Sequence, residues 1–248
     1  MKILGIIPAR FASSRFPGKP LVDIAGKSMI RRVYEQCIKS SGLNKVIVAT
    51  DDQRIFDHIK SFGGDAIMTS DKHKSGTDRC EEVAKQFPEF GICINIQGDE
   101  PLIDPAQIDL LIACFKQENV FIATLAKKIN TNEELFNQNS PKVVLDKNSD
   151  AIYFSRTPIP FQRNRIQDNW LNNHNYFKHI GIYAYRSTML SEITKLPVSD
   201  LEQAEDLEQL RWIENGYKIK VALTDKESLA IDTPEDLIKL VSFLKLNI

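Results

Sequence analysis

The side chains best equipped for chemistry lie near the start of the chain, where Arg10, Arg15 and Lys19 fall within one loop, Pro8-Ala9-Arg10-Phe11-Ala12-Ser13-Ser14-Arg15-Phe16-Pro17-Gly18-Lys19-Pro20-Leu21. The loop follows directly on an apolar run, Lys2-Ile3-Leu4-Gly5-Ile6-Ile7, that reads as a buried strand. Small residues let backbone N–H groups approach phosphate oxygens, and Arg and Lys supply the compensating charge. Cations in a loop at a strand's end point to a polyanionic ligand, in the position where open α/β sheets bind theirs. A polar turn after the first strand is the competing reading.

Acids complement these cations. Asp99 stands in Gln97-Gly98-Asp99-Glu100-Pro101, directly after the apolar run Ile92–Ile96. Asp232 stands in Leu229-Ala230-Ile231-Asp232-Thr233-Pro234-Glu235-Asp236, where Thr233 suits an N-cap and Pro234 the first helical position, leaving Asp232 outside the helix. Two acids at equivalent strand-to-helix corners could converge on one metal-phosphate centre, and hard oxygen donors with few His or Cys nearby suit magnesium. Ser75-Gly76-Thr77-Asp78-Arg79 also opens a helix, with Ser75 or Thr77 as cap and Gly76 and Arg79 as further ligand candidates. In a helix read over 200–214, Glu208 shares a sector with Leu201, Ala204 and Trp212, costly for a carboxylate unless it is paired or bound. Alternation puts His179, Tyr183 and Tyr185 on one face of a strand, with Tyr153 and Arg156 also on strands of the same later part of the chain. They suit core or interface packing, or the wall of a sugar-acid pocket.

The elements that must position these residues alternate. Strands are expected at 2–7, 45–50, 66–68, 92–96 and 121–126, and helices at 28–40, from Asp51 or Asp52 to Gly63-Gly64, at 77–87 and from Asp104-Pro105 onward. This rhythm predicts an α/β fold, a mostly parallel twisted sheet with helices on both faces. Later the pattern changes: 142–146 and 151–156 flank a turn as a hairpin, 179–186 is a strand, helices follow at 187–196 and 200–214, a last strand spans 218–223, and a final helix runs to about 245. Residues 161–177, rich in Asn, Gln and Arg, read as a mobile loop. We read one domain over 1–248 with an inserted, hairpin-bearing lobe at about 127–222.

Composition narrows the classes. The chain has 248 residues, a formal charge of -1 and 42% hydrophobic residues, ordinary for a globular protein and unsuited to nonspecific nucleic-acid or anionic-membrane binding. No apolar run is long enough to span a bilayer, and no signal peptide is legible, so the expected compartment is the cytoplasm. Cys37, Cys80, Cys93 and Cys114 are scattered through apolar stretches and read as reduced core thiols. Gly26-Lys27-Ser28 lacks the upstream glycine of a P-loop, no G-x-G-x-x-G follows a strand, and neither H-E-x-x-H nor G-x-S-x-G occurs, which argues against hydride transfer, zinc chemistry and serine hydrolysis.

In order along the chain, IIPARFASSRFPGKPL, VATDD, SGTDR, NIQGDEP, KVVLD, YFSR, HIGIYAYR, LEQLR and IDTPEDL resemble the 3-deoxy-manno-octulosonate (KDO) cytidylyltransferase family, from residue 6 to 237. One departure is Ala230, where the family usually has Gly before the hydrophobic residue of its DTPEDL motif; the added methyl is expected to shift the backbone near Asp232 slightly. The resemblance implies transfer of CMP from CTP to KDO with release of pyrophosphate, activating KDO for lipopolysaccharide synthesis. It implies Pro8, Ala9, Arg10 and Lys19 on the triphosphate, Ser75, Gly76, Thr77, Arg79 and Gln97 on the nucleotide, and Asp99 and Asp232 on magnesium. Arg10, Lys19, Asp99 and Asp232 would carry catalysis. Gln97, Arg156, His179, Tyr183, Glu208 and Gln209 would hold the sugar acid, with Arg156 on its carboxylate. It also implies a homodimer formed through the second lobe. The alternatives are a cytidylyltransferase for 8-amino-KDO or sialic acid, and a nucleotide-binding protein without chemistry.

Overall fold

A computed structural model describes residues 1–12, 16–227 and 229–246, the last four by backbone only, so Ser13, Ser14 and Arg15 lie outside the described residues. In chain order the elements begin with β1 (Lys2–Ala9), β2 (Asp23–Ile24), β3 (Lys27–Ser28), α1 (Met29–Cys37), β4 (Lys45–Thr50) and α2 (Gln53–Ser61). Then come β5 (Ala66–Met68), α3 (Gly76–Lys85), β6 (Phe90–Asn95), α4 (Pro105–Cys114), β7 (Ile122–Lys128) and α5 (Asn132–Phe136). The chain continues through β8 (Lys142–Leu145), β9 (Ala151–Ser155), α6 (Trp170–Asn173), β10 (Phe177–Arg186) and α7 (Ser187–Ile193). It closes with α8 (Asp200–Glu205), α9 (Gln209–Glu214), β11 (Lys220–Thr224) and α10 (Pro234–Leu246). The chain divides into two compact units, one of Met1–Asp109, Arg186–Leu190 and Ser228–Ile248, the other of Leu110–Tyr185 and Ser191–Glu227.

In the first unit the strands run β6-β1-β4-β5, all parallel. Leu4, Ile6 and Ile7 of β1 have no exposed surface, which is why this strand reads as a continuous apolar run rather than an alternation. Side-chain caps start the helices: Ser28 Oγ accepts from the Arg31 N–H, Asp52 from the Arg54 N–H, and Ser75 and Asp78 form a reciprocal capping box.

The second unit is mixed. β11 pairs parallel with β7, β10 runs antiparallel to both β7 and β8, and β8 and β9 form the expected hairpin. Two expectations fail here. Residues 161–177 are not a structureless loop: they hold a 3-10 turn at Gln167–Asn169 and α6, anchored by Trp170, which is 2% exposed between Phe136, Phe161 and Tyr176. The helix over 200–214 is broken. α8 ends at Glu205, Asp206 turns left-handed at φ 51°, and α9 starts only at Gln209. The break is held by Arg156, whose Nε and Nη2 donate to the carbonyls of Glu205 and Asp206. Glu208 therefore does not share a continuous apolar face with Leu201 and Ala204; it sits at the start of α9 instead.

Candidate active site

A cleft of about 480 Å³ opens at the C-terminal ends of β1 and β6, lined by Pro8, Ala9, Arg10, Lys19, Gln97, Gly98, Asp99 and Asp232, with Ala12 and Pro20 beside them. β1 carries Pro8 and Ala9 to its rim, and exposed Arg10 follows at once. Lys19 opens a 3-10 turn, Lys19–Leu21, after Gly18 at φ 71°. Its Nζ lies 2.7 Å from Asp99 Oδ2 and 3.4 Å from Asp232 Oδ1. The two acids expected to converge thus meet on one ammonium. Close backbone approach holds them there: a β-carbon at Gly98 would stand 2.8 Å from the Pro8 carbonyl, so only glycine fits. The Ile231 N–H donates to the Asp99 carbonyl across 2.9 Å. Thr233 and Asp236 cap α10 reciprocally, leaving Asp232 outside the helix as its spacing predicts. Burial opposes ionisation of Asp236, yet the Thr233 hydroxyl and nearby N–H groups hold its pKa below the usual value. Ala230 is exposed and its φ is not positive, so its methyl brings no backbone strain.

Among the described residues no group of three or more His, Cys, Asp or Glu side chains gathers as a metal site. Magnesium does not need one, since proteins hold it through one or two carboxylates and leave the other positions to water and substrate phosphates. The donors fit: two carboxylates face one point, and the Lys19 ammonium there is a stand-in for a cation.

The nucleotide candidates on α3 divide. Gly76 packs against β1, where an added β-carbon would stand 3.5 Å from Pro8 Cγ. The Ser75 hydroxyl accepts from the Asp78 N–H as cap, and Thr77 is buried. Arg79 is 1% exposed, and its guanidinium turns inward, 2.7 Å from Asp51 Oδ2 and 2.5 Å from the Thr69 hydroxyl.

In the second unit, His179, Tyr183 and Tyr185 share a face of β10 as alternation predicts, although the register shifts between Ile180 and Tyr183. His179 pairs with Ala126 and Tyr183 with Thr124, so the irregularity preserves parity. The Thr124 hydroxyl donates to the Ile180 and Ile182 carbonyls at the shift, and it accepts from His179 Nε2 at 2.9 Å. Nε2 then carries the imidazole proton and Nδ1 is an acceptor. Desolvation lowers the His179 pKa to about 3, which keeps the ring neutral. Tyr183 and Tyr185 both meet Trp212 edge-on. Burial, then the Glu208 carboxylate, pushes the Tyr183 pKa well above its usual value. The Nε2 of Gln209 is buried without a hydrogen-bond partner. Arg156, expected on a sugar carboxylate, engages three backbone carbonyls, those of Gln138, Glu205 and Asp206.

Sequence reasoning passed over Gly98, Thr124 and Glu205. Glu205 accepts from the Ser155 hydroxyl and the Arg156 N–H, fixing the end of β9. A lone hydroxyl in the apolar run of β7 was a usable signal for Thr124; nothing local marks Glu205.

Comparison with known proteins agrees with this architecture. A family model described as Cytidylyltransferase matches residues 4–219. The 3-deoxy-manno-octulosonate cytidylyltransferase of Parabacteroides distasonis is 56% identical over 249 residues, covering 98% of each chain. The protein of the same name from Bacteroides thetaiotaomicron is also 56% identical, covering 99% of each. A solved CMP:2-keto-3-deoxy-manno-octonic acid synthetase complexed with CTP superposes with a TM-score of 0.93 at 42% identity over the whole of both chains. The chain belongs to the cytidylyltransferase family and, within it, to the 3-deoxy-manno-octulosonate cytidylyltransferases.

Proposed function

We propose that this protein transfers CMP from CTP to KDO, releasing pyrophosphate and so activating KDO for lipopolysaccharide synthesis. The observation that carries the reading is the meeting of Lys19, Asp99 and Asp232 in the cleft at the strand ends. The anomeric hydroxyl oxygen of KDO attacks the α-phosphorus of CTP in line. The bond from that phosphorus to the bridging oxygen breaks, pyrophosphate departs with the electron pair, and the hydroxyl proton passes to solvent. Such a transfer asks mainly for positioning and charge stabilisation. Arg10 and Lys19 offset charge on the departing pyrophosphate, while Pro8, Ala9 and Gln97 bound the nucleotide. Ser75, Gly76 and Thr77 face cytidine from the start of α3, and Arg79 supports that segment from behind through Asp51. Magnesium, bound by Asp99 and Asp232, would neutralise phosphate charge and acidify the sugar hydroxyl.

Gln97, Arg156, His179, Tyr183, Glu208 and Gln209 hold the sugar acid in this reading. The buried Nε2 of Gln209 supports it as a donor awaiting an acceptor. Arg156, with all three guanidinium nitrogens on backbone carbonyls, acts through the α8–α9 break in this reading. The protein works in the cytoplasm as a homodimer, and Phe161 and Ile166, 71% and 69% exposed, are apolar surface on the second unit that a partner would cover.

A pyrophosphate-release screen of the four nucleoside triphosphates against KDO, 8-amino-KDO and sialic acid, with and without magnesium, tests the reading. Release only with CTP, KDO and magnesium is the expected result. Preference for another sugar acid would reassign the substrate, and no release with any pair would leave a binding protein.

A further inference from the structure

The residues just inside the two ends of the triphosphate loop are clasped by a side chain from another element. Phe11 follows Arg10, and Gly18 precedes Lys19. The Gly18 N–H donates to the Phe11 carbonyl across 3.0 Å, closing the loop at its base. Gly18 sits at φ 71°, and a β-carbon there would stand 3.2 Å from the Phe11 ring, so the backbone itself packs against the aromatic. The Arg54 guanidinium lies over the same ring, 3.3 Å from its centroid.

Arg54 is fixed in turn. Its Nε lies 2.9 Å from Asp52 Oδ1 and its Nη2 2.7 Å from Oδ2, a bidentate pair, and the same carboxylate accepts the Arg54 N–H as the cap of α2. Donating to the Asp52 carboxylate raises the Arg54 pKa further, so the stack carries full charge. A planar, pre-oriented guanidinium over an aromatic face is a favourable contact even at the surface. The Arg54 side chain is 60% exposed and supports no core.

We infer that Arg54, oriented by Asp52, is a positioning residue for CTP: by stacking on Phe11 it holds the closed base of the loop and so sets the spacing between Arg10 and Lys19. It acts through Phe11 and Gly18. The inference rests on the nucleotide reading above for its consequence, though not for its geometry.

Amide hydrogen exchange of the ligand-free protein tests the geometry without any nucleotide. Arg54→Ala is expected to speed exchange of the Gly18 amide while amides of β4 and β6 stay unchanged; unaltered Gly18 exchange would overturn the clasp. Calorimetric titration with CTP and magnesium, alongside steady-state kinetics, tests the consequence. Arg54→Ala should weaken CTP binding and raise the KM for CTP about two- to fivefold, the size of an exposed cation–π contact. The KM for KDO, kcat and the thermal midpoint should stay the same, and Arg54→Lys should recover only part of the loss. Phe11→Leu should reproduce the effect, and Arg54→Ala added to Phe11→Leu should cost nothing more. Unchanged CTP affinity in Arg54→Ala, an equal effect on KDO, or multiplying effects in the double variant would each overturn the positioning role. A wild-type protein that binds CTP and ignores KDO would overturn the proposed reaction while leaving the clasp standing.

Discussion

The Thr124 hydroxyl accepts from His179 Nε2 at 2.9 Å and fixes which nitrogen of that ring carries the proton. Folding holds the imidazole neutral, with a pKa lowered to about 3 by desolvation, whereas the unfolded chain takes up the proton near its ordinary value. Below about pH 6.5 the unfolded state therefore binds the extra proton, and stability falls as pH drops. The slope is at most about 1.4 kcal/mol per pH unit. His179→Gln keeps a donor toward Thr124 and cannot titrate. Urea unfolding of both proteins between about pH 7.5 and 5 should show the wild type losing more stability on acidification. Parallel curves would remove the neutral-imidazole assignment.

Asp99→Asn keeps the shape of the cleft and removes one of the two negative charges facing Lys19. Pyrophosphate release from CTP and KDO is expected to fall by roughly a hundredfold or more, the scale of losing one group that stabilises transition-state charge. The far-UV spectrum and thermal midpoint should change little. Near-normal activity in this variant would sink the metal and catalytic assignment of Asp99.

Glu208 opens α9, and its charge adds to burial in raising the pKa of the Tyr183 hydroxyl. Glu208→Ala should raise the KM for KDO about tenfold, the cost of one hydrogen bond to a charged group, while moving the KM for CTP much less. Equal shifts in both would deny it a sugar role.

Buried Arg79 pairs with half-buried Asp51, 1% and 16% exposed. Arg79→Ala leaves a carboxylate without its partner in a poorly solvated place and should cost about 3–5 kcal/mol of stability. A denaturation curve reads this directly. If the variant stays as stable as the wild type and loses only CTP affinity, Arg79 contacts the nucleotide itself rather than supporting α3.

The broken helix offers a fifth site for mutation. Asp206 holds φ 51° with its side chain fully exposed, so Asp206→Gly or Asp206→Asn should fold as well as the wild type. Asp206→Val, which resists that backbone, should lower the thermal midpoint by a few degrees and raise the KM for KDO. A thermal melt and KDO kinetics for the three variants decide it.

Much of this molecule was legible because its signals are local. The apolar run of β1 and the caps at Asp52, Ser75 and Thr233 each state their element within a few residues. Asp99 and Asp232 converge as expected, but their corners are not equivalent: β6 ends four residues before Asp99, whereas β11 ends at Thr224, eight residues before Asp232. What escaped depends on contacts distant in sequence. The break at Asp206 is set by Arg156, so helical periodicity over 200–214 had no means of showing it. The inward turn of Arg79 depends on Asp51 and Thr69, brought beside it only by β4 and β5. The order in 161–177 comes from one buried indole among polar neighbours, which composition outvotes.

The hydrogen bond from Ile231 to the Asp99 carbonyl joins the two acid-bearing segments through the main chain. Replacing a side chain on either segment leaves that bond's atoms in place. The constraint on this corner is therefore one of chain length more than of residue identity. A methyl at position 230 is tolerated on exposed, unstrained backbone, whereas inserting a single residue between Ile231 and Asp232 would slide the carboxylate away from its partner. During divergence, gaps at this corner should be purged.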